Sequence, residues 1–184
     1  MASLGPRLTT DGRLPGARFI ASHNQDDRPA DVAICLLVVH AISLPPGEFG
    51  GNGVKHLFTN CLDPDAHPYY RELHGLRVSA HFFIRRDGSV IQFVPTLRRA
   101  WHAGISHWRG RERCNDFSLG IELEGCDDQP FTHIQYVRLA RLIRILRRTY
   151  AIEEIVGHSD IAPARKTDPG PCFDWQRLRQ LLRR

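Results

Sequence analysis

His40 closes the apolar run ICLLVVH (34–40), His158 closes EEIVGH (153–158), and Asp168 stands ten residues beyond His158. Two imidazoles and a carboxylate are the donor set of an open zinc site, in which three protein ligands leave a fourth position for water. The metal would lower the pKa of that water towards about 7, making hydroxide available to attack an amide or ester. A histidine at the end of a strand also serves as a plain polar cap, and the chain has ten histidines. Spacing alone leaves both readings open.

Two further residues extend the chemistry. In FSLGIELEG (117–125), Phe117, Leu119, Ile121 and Leu123 alternate with Ser118, Gly120, Glu122 and Glu124, the pattern of a strand with one apolar and one polar face. A carboxylate on an interior strand is costly unless it is hydrogen-bonded, paired or used. Glu122 is therefore a candidate general base, taking a proton from the attacking water and passing it to a leaving amine; the plain alternative is a solvent-facing Glu beside Glu124. Lys166 lies in GHSDIAPARKTDPGPCFDW (157–175), a loop with three prolines, two glycines and three aspartates. Only Lys55 and Lys166 are lysines in a chain whose other cations are arginines. A fixed cation there suits the oxyanion of a tetrahedral intermediate, against the alternative of a surface lysine. Tyr69, Trp101, His102 and Trp108 flank loops where rings stack on a sugar or simply pack. These pieces describe a zinc-dependent amide or ester hydrolase without naming its substrate.

The elements that must position these groups follow from pattern and turn chemistry. ICLLVVH reads as a buried strand and ISLPPGEFGGNG as a loop. VKHLFTNCL (54–62) has helical spacing, and DPDAHPYYREL is turn-like. VSAHFFIRR and SVIQFVP (89–95) flank Asp87-Gly88, a hairpin signal. Thr132 and Gln135 form a capping box before a long helix whose stripe is Leu139, Leu142, Ile143, Leu146 and Tyr150. EEIVGH is a short strand, and Asp174 caps a closing helix. The order predicts an α/β (α+β) fold: one domain over 1–184, a central mixed β-sheet flanked by helices, and residues 1–31 as an irregular N-terminal arm.

Composition narrows the classes. No segment approaches the roughly 18–20 apolar residues of a membrane span, and the N-terminus has no apolar signal core. Five widely spaced cysteines, without a C-x-x-C pair, read as reduced packing residues in the cytoplasm. The net charge of +5 suits an anionic partner. No helix-turn-helix, aromatic RNP strand or Cys/His finger spacing supports nucleic acid.

LLVVHAISLPPGEFGG, LRVSAHFFIRRDGSVIQFVP, RAWHAG, GRERCNDFSLGIELEG and GHSDIAPARKTDPGPCFDW together closely resemble the zinc N-acetylmuramoyl-L-alanine amidases that share a fold with peptidoglycan recognition proteins. The resemblance runs from about residue 12 to residue 180. It implies Zn2+ on His40, His158 and Asp168, with Glu122 and Lys166 acting in catalysis. It further implies a cytoplasmic, monomeric enzyme on anhydromuramyl-peptides, with no nucleic-acid or membrane partner. The bond cut would join the lactyl group of 1,6-anhydro-N-acetylmuramic acid to L-alanine, in peptidoglycan recycling that affects β-lactamase induction. Arg77 and Arg113 would meet stem-peptide carboxylates, Trp101 would lie by the anhydro sugar, and Ala162 would also touch substrate. Two positions depart from the expected pattern: Ala41 stands where the resemblance implies Asn, and Ser159 where it implies Cys. A muropeptide-binding module without catalysis is the rival reading, set against the full ligand set.

Overall fold

The computed structural model describes residues 7–183. In chain order these form β1 (Arg18–Phe19), β2 (Gln25–Asp26), β3 (Leu36–Ile42), α1 (Gly53–Phe58), α2 (Pro68–Glu72), β4 (Phe82–Ile84) and β5 (Val90–Gln92). There follow β6 (Arg99–Ala100), β7 (His107–Trp108), β8 (Arg111–Glu112), a 3-10 turn (Cys114–Asp116) and β9 (Ser118–Glu124). The chain ends with α3 (His133–Arg147), β10 (Glu154–Gly157), α4 (His158–Ile161) and α5 (Trp175–Arg183).

Six strands make one mixed sheet in the order β1-β5-β4-β9-β3-β10, parallel throughout except for the β4–β5 pair. Alternation along the strands sorts side chains between the two faces. Leu37, Val39, Leu119, Ile121 and Leu123 enter a core with Leu139, Leu142, Ile143 and Leu146 of α3 and Leu178 of α5. Each such side chain contributes about 1.5–3 kcal/mol on burial. The α3 start is fixed by the expected capping box: Gln135 N–H donates to Thr132 Oγ1, and Thr132 N–H donates to Gln135 Oε1 at 3.0 Å. At α5, Arg177 N–H donates to Asp174 Oδ1 at 2.8 Å, as an N-cap should.

The other face carries Leu36 and Val38, packed with Ala103, Cys114, Phe117, Val156 and Ile161. His40 is next in the same alternation, so it emerges on this face at the carboxyl ends of the parallel strands, where α/β sheets build sites. A third cluster under α1 and α2 joins Leu57, Phe58 and Tyr70 to Phe83, Ile91 and Phe93.

Three local expectations change. The described part of the 1–31 segment is not uniformly irregular, since β1 extends the main sheet and β2 pairs with β6. Arg28 of that segment donates to the carbonyls of Asn115, Asp116 and Ser118, tying the arm beneath β9. DPDAHPYYREL contains α2, with Pro68 at its first turn and His67 Nδ1 accepting from Tyr69 N–H; Pro there is tolerated because its missing N–H has no partner to lose. The hairpin turn spans three residues, Arg86 to Gly88. Gly88 takes φ +80° and donates to Arg85 O, and Arg85 N–H donates to Ser89 O. The interior position read for β9 holds: it is buried along its whole length, because β4 and β3 flank it and its polar face is covered.

Candidate metal centre

Strand register sets three of the polar side chains in one row. His40 of β3 is the register partner of Glu122 of β9, and Gly157 of β10 is the partner of Val39. The residue after Gly157 therefore comes level with His40, and that residue is His158. His158 stands just past β10, as its sequence position suggests, and opens α4, whereas His40 lies within its strand as the fifth residue of β3.

Asp168 reaches this row because its loop folds back on α4. Lys166 N–H donates to Ala162 O, Ser159 N–H donates to Asp168 O at 2.9 Å, and Gly170 N–H donates to Thr167 O. Gly157 makes the approach possible, since a Cβ there would lie 2.8 Å from Pro169 Cδ. The Asp160 carboxylate accepts from Gly157 N–H at 2.7 Å and holds the start of α4.

The result is a triangle of donor atoms. His40 Nδ1 lies 3.0 Å from His158 Nδ1 and 3.2 Å from Asp168 Oδ2, and His158 Nδ1 lies 3.1 Å from the same oxygen. Around a tetrahedral zinc with bonds of about 2.0–2.1 Å, neighbouring ligand atoms sit about 3.3–3.4 Å apart. One shared proton can bridge a single edge of such a triangle, whereas a cation at its centre satisfies all three atoms. The ring chemistry agrees. His158 Nε2 faces the Ala103 carbonyl at 3.3 Å, an acceptor that places the proton on Nε2 and leaves Nδ1 bare. Burial lowers the His40 pKa to about 4, so its ring is neutral, the form that ligates. The residues fit a zinc ion.

Glu122 and Lys166 line the same cleft, about 480 Å³ in volume, whose other wall is apolar, with Leu44, Leu57, Phe58, Tyr69 and Leu73. Glu122 is 8% exposed, and its Oε2 is buried without a hydrogen-bond partner among the described residues. Burial raises its pKa well above the ordinary carboxylate value; the Asp168 charge adds to the effect and the Lys166 charge opposes it.

The structure does not bring the remaining expected residues into this cleft. Arg77 lines an adjoining depression of about 200 Å³ that shares Leu57, Leu73 and Leu76 with it. Arg113 and Ala162 line a separate, more apolar groove of about 550 Å³ with Ile105 and Pro163. Trp101 lines neither, but its backbone pairs with Ser79, a cleft residue. Of the rings read as stacking platforms, Tyr69 and His102 line the cleft. Trp108 instead donates Nε1–H to Glu154 Oε2 at 2.7 Å. His102 is buried, with its Nδ1 3.0 Å from His40 Nε2. The apolar cleft wall has no isolated signal in the sequence, since its residues sit on α1, α2 and the preceding loop among ordinary packing positions.

Comparison with known proteins bears on this geometry. Residues 30–171 match the profile of the N-acetylmuramoyl-L-alanine amidase family. Over 177 residues the chain is 56% identical to the 1,6-anhydro-N-acetylmuramyl-L-alanine amidase AmpD of Escherichia coli (strain K12), covering 95% of this chain and 97% of that one. Its fold is similar to the crystal structure of a Se-Met AmpD derivative, with a TM-score of 0.93 and 55% identity over 95% of this chain and 99% of that one. It is also similar to E. coli AmiD in complex with anhydro-N-acetylmuramic acid-L-Ala-D-gamma-Glu-L-Lys. There the TM-score is 0.59 and the identity 35%, over 84% of this chain and 60% of that one.

Proposed function

The chain belongs to the N-acetylmuramoyl-L-alanine amidase family, and on that premise we propose that it hydrolyses the amide between the lactyl group of 1,6-anhydro-N-acetylmuramic acid and the L-alanine of the stem peptide, with Zn2+ held by His40, His158 and Asp168. The observation that carries this reading is the convergence of three ligand atoms in a cleft that also holds Glu122 and Lys166.

When bound, the cation supplies Lewis acidity to the attacking water and to the scissile carbonyl. Glu122 accepts the proton of that water at Oε2, the oxygen without a partner, and delivers it to the nitrogen of the departing L-alanine. A raised pKa suits this role, because the carboxyl holds the proton until the amine takes it. Lys166 brings a fixed positive charge to the cleft, where the carbonyl oxygen becomes anionic as water adds. The net reaction consumes one water and gives a free carboxylate and a free amine.

Arg77 and Arg113 are proposed to attract the stem-peptide carboxylates, Trp101 to lie by the anhydro sugar, and Ala162 to touch substrate. Their support is a basic chain, the depression adjoining the cleft that Arg77 lines, and the separate groove that Arg113 and Ala162 line. Five unpaired cysteines fit a reducing compartment, which supports placing the reaction in cytoplasmic recycling of cell-wall fragments, with its consequence for β-lactamase induction.

The test is zinc content together with turnover of anhydro-N-acetylmuramyl-tripeptide, before and after chelation. One zinc per chain, with activity that a chelator removes and zinc restores, is the expected result. Full turnover by metal-free protein would overturn the metal assignment. Zinc binding with muropeptide binding but no turnover would leave a recognition module.

A further inference from the structure

A ligand histidine works only in one tautomer, and within the triad the acceptor beside His40, Asp168 Oδ2 at 3.2 Å from Nδ1, would draw the proton onto the nitrogen that must ligate. We infer that His102 is the positioning residue that sets the tautomer of His40 instead, through a hydrogen-bond relay anchored on a backbone carbonyl. The inference rests on zinc binding at the triad and adds to it the device that orients one ligand.

The relay runs in one direction because its far end can only accept. The Cys114 carbonyl takes the Ser118 hydroxyl proton at 2.5 Å. With that proton committed, Ser118 Oγ presents lone pairs to His102 Nε2 at 3.3 Å, so the proton of the His102 ring sits on Nε2. His102 Nδ1 is then bare, and it lies 3.0 Å from His40 Nε2. It must accept from that nitrogen, which places the His40 proton on Nε2 and leaves Nδ1 free to face the cation. Three groups away, a peptide carbonyl has chosen which nitrogen of His40 can ligate. His158 reaches the same outcome in one step, through the Ala103 carbonyl. Both anchors belong to the segment 102–118, so one stretch of chain orients both metal histidines.

The backbone is shaped to hold His102 there. A Cβ at Gly120 would lie 2.4 Å from His102 Cγ, so the glycine on the polar face of β9 is the seat of the ring. The backbone N–H groups of His102 and Ala103 both donate to Asn115 Oδ1, at 3.1 and 2.8 Å. The His102 and His40 rings meet edge to face with centroids 5.0 Å apart. His102 is 8% exposed and borders the cleft, yet both of its ring nitrogens face partners inside the fold.

The decisive experiment measures zinc affinity by competition with a chromophoric chelator, on the parent, His102→Leu, His102→Asn and Ser118→Ala proteins. Loss of an outer partner of a metal histidine costs about 10–100-fold in metal affinity, and that loss is expected for His102→Leu. Asn keeps an acceptor oxygen near the place of Nδ1, so His102→Asn should stay within about threefold of the parent. Ser118→Ala unlocks the His102 tautomer without removing the ring and should fall between them. Imidazole 15N spectra of the zinc-loaded parent add a signature that packing alone does not produce: His102 protonated on Nε2 and bare at Nδ1. Parent-like affinity in His102→Leu, equal losses in Leu and Asn, or the opposite His102 tautomer would each overturn the inference. Should His102→Leu fail to fold, the contrast between His102→Asn and Ser118→Ala decides, and equal affinities there overturn it. A parent protein that binds no zinc would instead remove the metal reading on which the inference rests.

Discussion

Glu122 and Glu124 leave β9 on the same side, two residues apart, both buried, yet only one of them is satisfied. Glu124 accepts from Gly50 N–H at 2.8 Å, from Arg86 N–H at 3.0 Å and from Arg85 at 3.3 Å. Glu122 Oε2 accepts from no described residue. A fold tolerates an unpartnered buried carboxyl when a reaction uses it, and pairs the one it needs for stability.

The two substitutions should therefore separate function from folding. Glu122→Gln should lower kcat by about 10²–10⁴-fold, with zinc content unchanged. Glu124→Gln should cost about 3 kcal/mol of stability by breaking a buried charge network, read by chemical denaturation, with turnover by the remaining folded protein close to the parent value. Near-normal turnover in Glu122→Gln would take Glu122 out of the mechanism.

That contrast also marks how far the sequence could be read. Alternation placed Glu122 and Glu124 on a polar face, but it could not say that β4 and β3 would cover that face, because strand order is a long-range property. His40, His158 and Asp168 were legible as donors since each ends or follows a strong local signal, while their common row depended on the β9-β3-β10 register. His102 read as a ring beside a loop. Its role depends on Ser118 and Gly120, small residues whose meaning appears only when the segment 102–118 folds over β9. The Arg28 anchor was hidden in a Pro/Gly-rich arm for the same reason.

A pH dependence follows from Glu122 in the metal-free protein. Burial raises its folded-state pKa well above the ordinary value, and the unfolded chain titrates near about 4.3. Above that lower value the folded state holds a proton that the unfolded state has released, so stability falls as pH rises towards the folded pKa and is fully present below the unfolded one. Glu122→Gln removes this loss. Melting curves from about pH 4 to pH 8 should show the variant gaining on the parent as pH increases, by about 2–4 °C for each kcal/mol recovered. A constant difference across that range would show that Glu122 keeps an ordinary pKa.

Gly157 tests the packing that brings Asp168 to the histidines. Its φ of −84° suits any residue, so Gly157→Ala acts through contact alone: the new methyl would lie 2.8 Å from Pro169 Cδ and push on the residue after Asp168. Such overpacking costs about 1–3 kcal/mol, and displacing Asp168 should weaken zinc binding by at least about tenfold. Chelator competition gives the affinity and thermal melting gives the stability. Parent-like affinity would mean that the loop accommodates the methyl without moving its carboxylate.

Ala41 is one of the two positions, with Ser159, where this chain departs from the pattern that its resemblance implies. It follows His40, pairs in register with Leu123, lines the cleft and packs partly against the main core. An asparagine there would add one amide at the cleft without touching the triad, at a cost of about 1 kcal/mol from its half-apolar surroundings. One hydrogen bond to the substrate contributes about 0.5–1.5 kcal/mol, so Ala41→Asn should lower KM for anhydromuramyl-tripeptide by about 2–12-fold. Zinc affinity should not change, because neither His40 nitrogen is involved. A KM equal to that of the parent would make the departure neutral, and a fall in zinc affinity would show instead that residue 41 governs the geometry of His40.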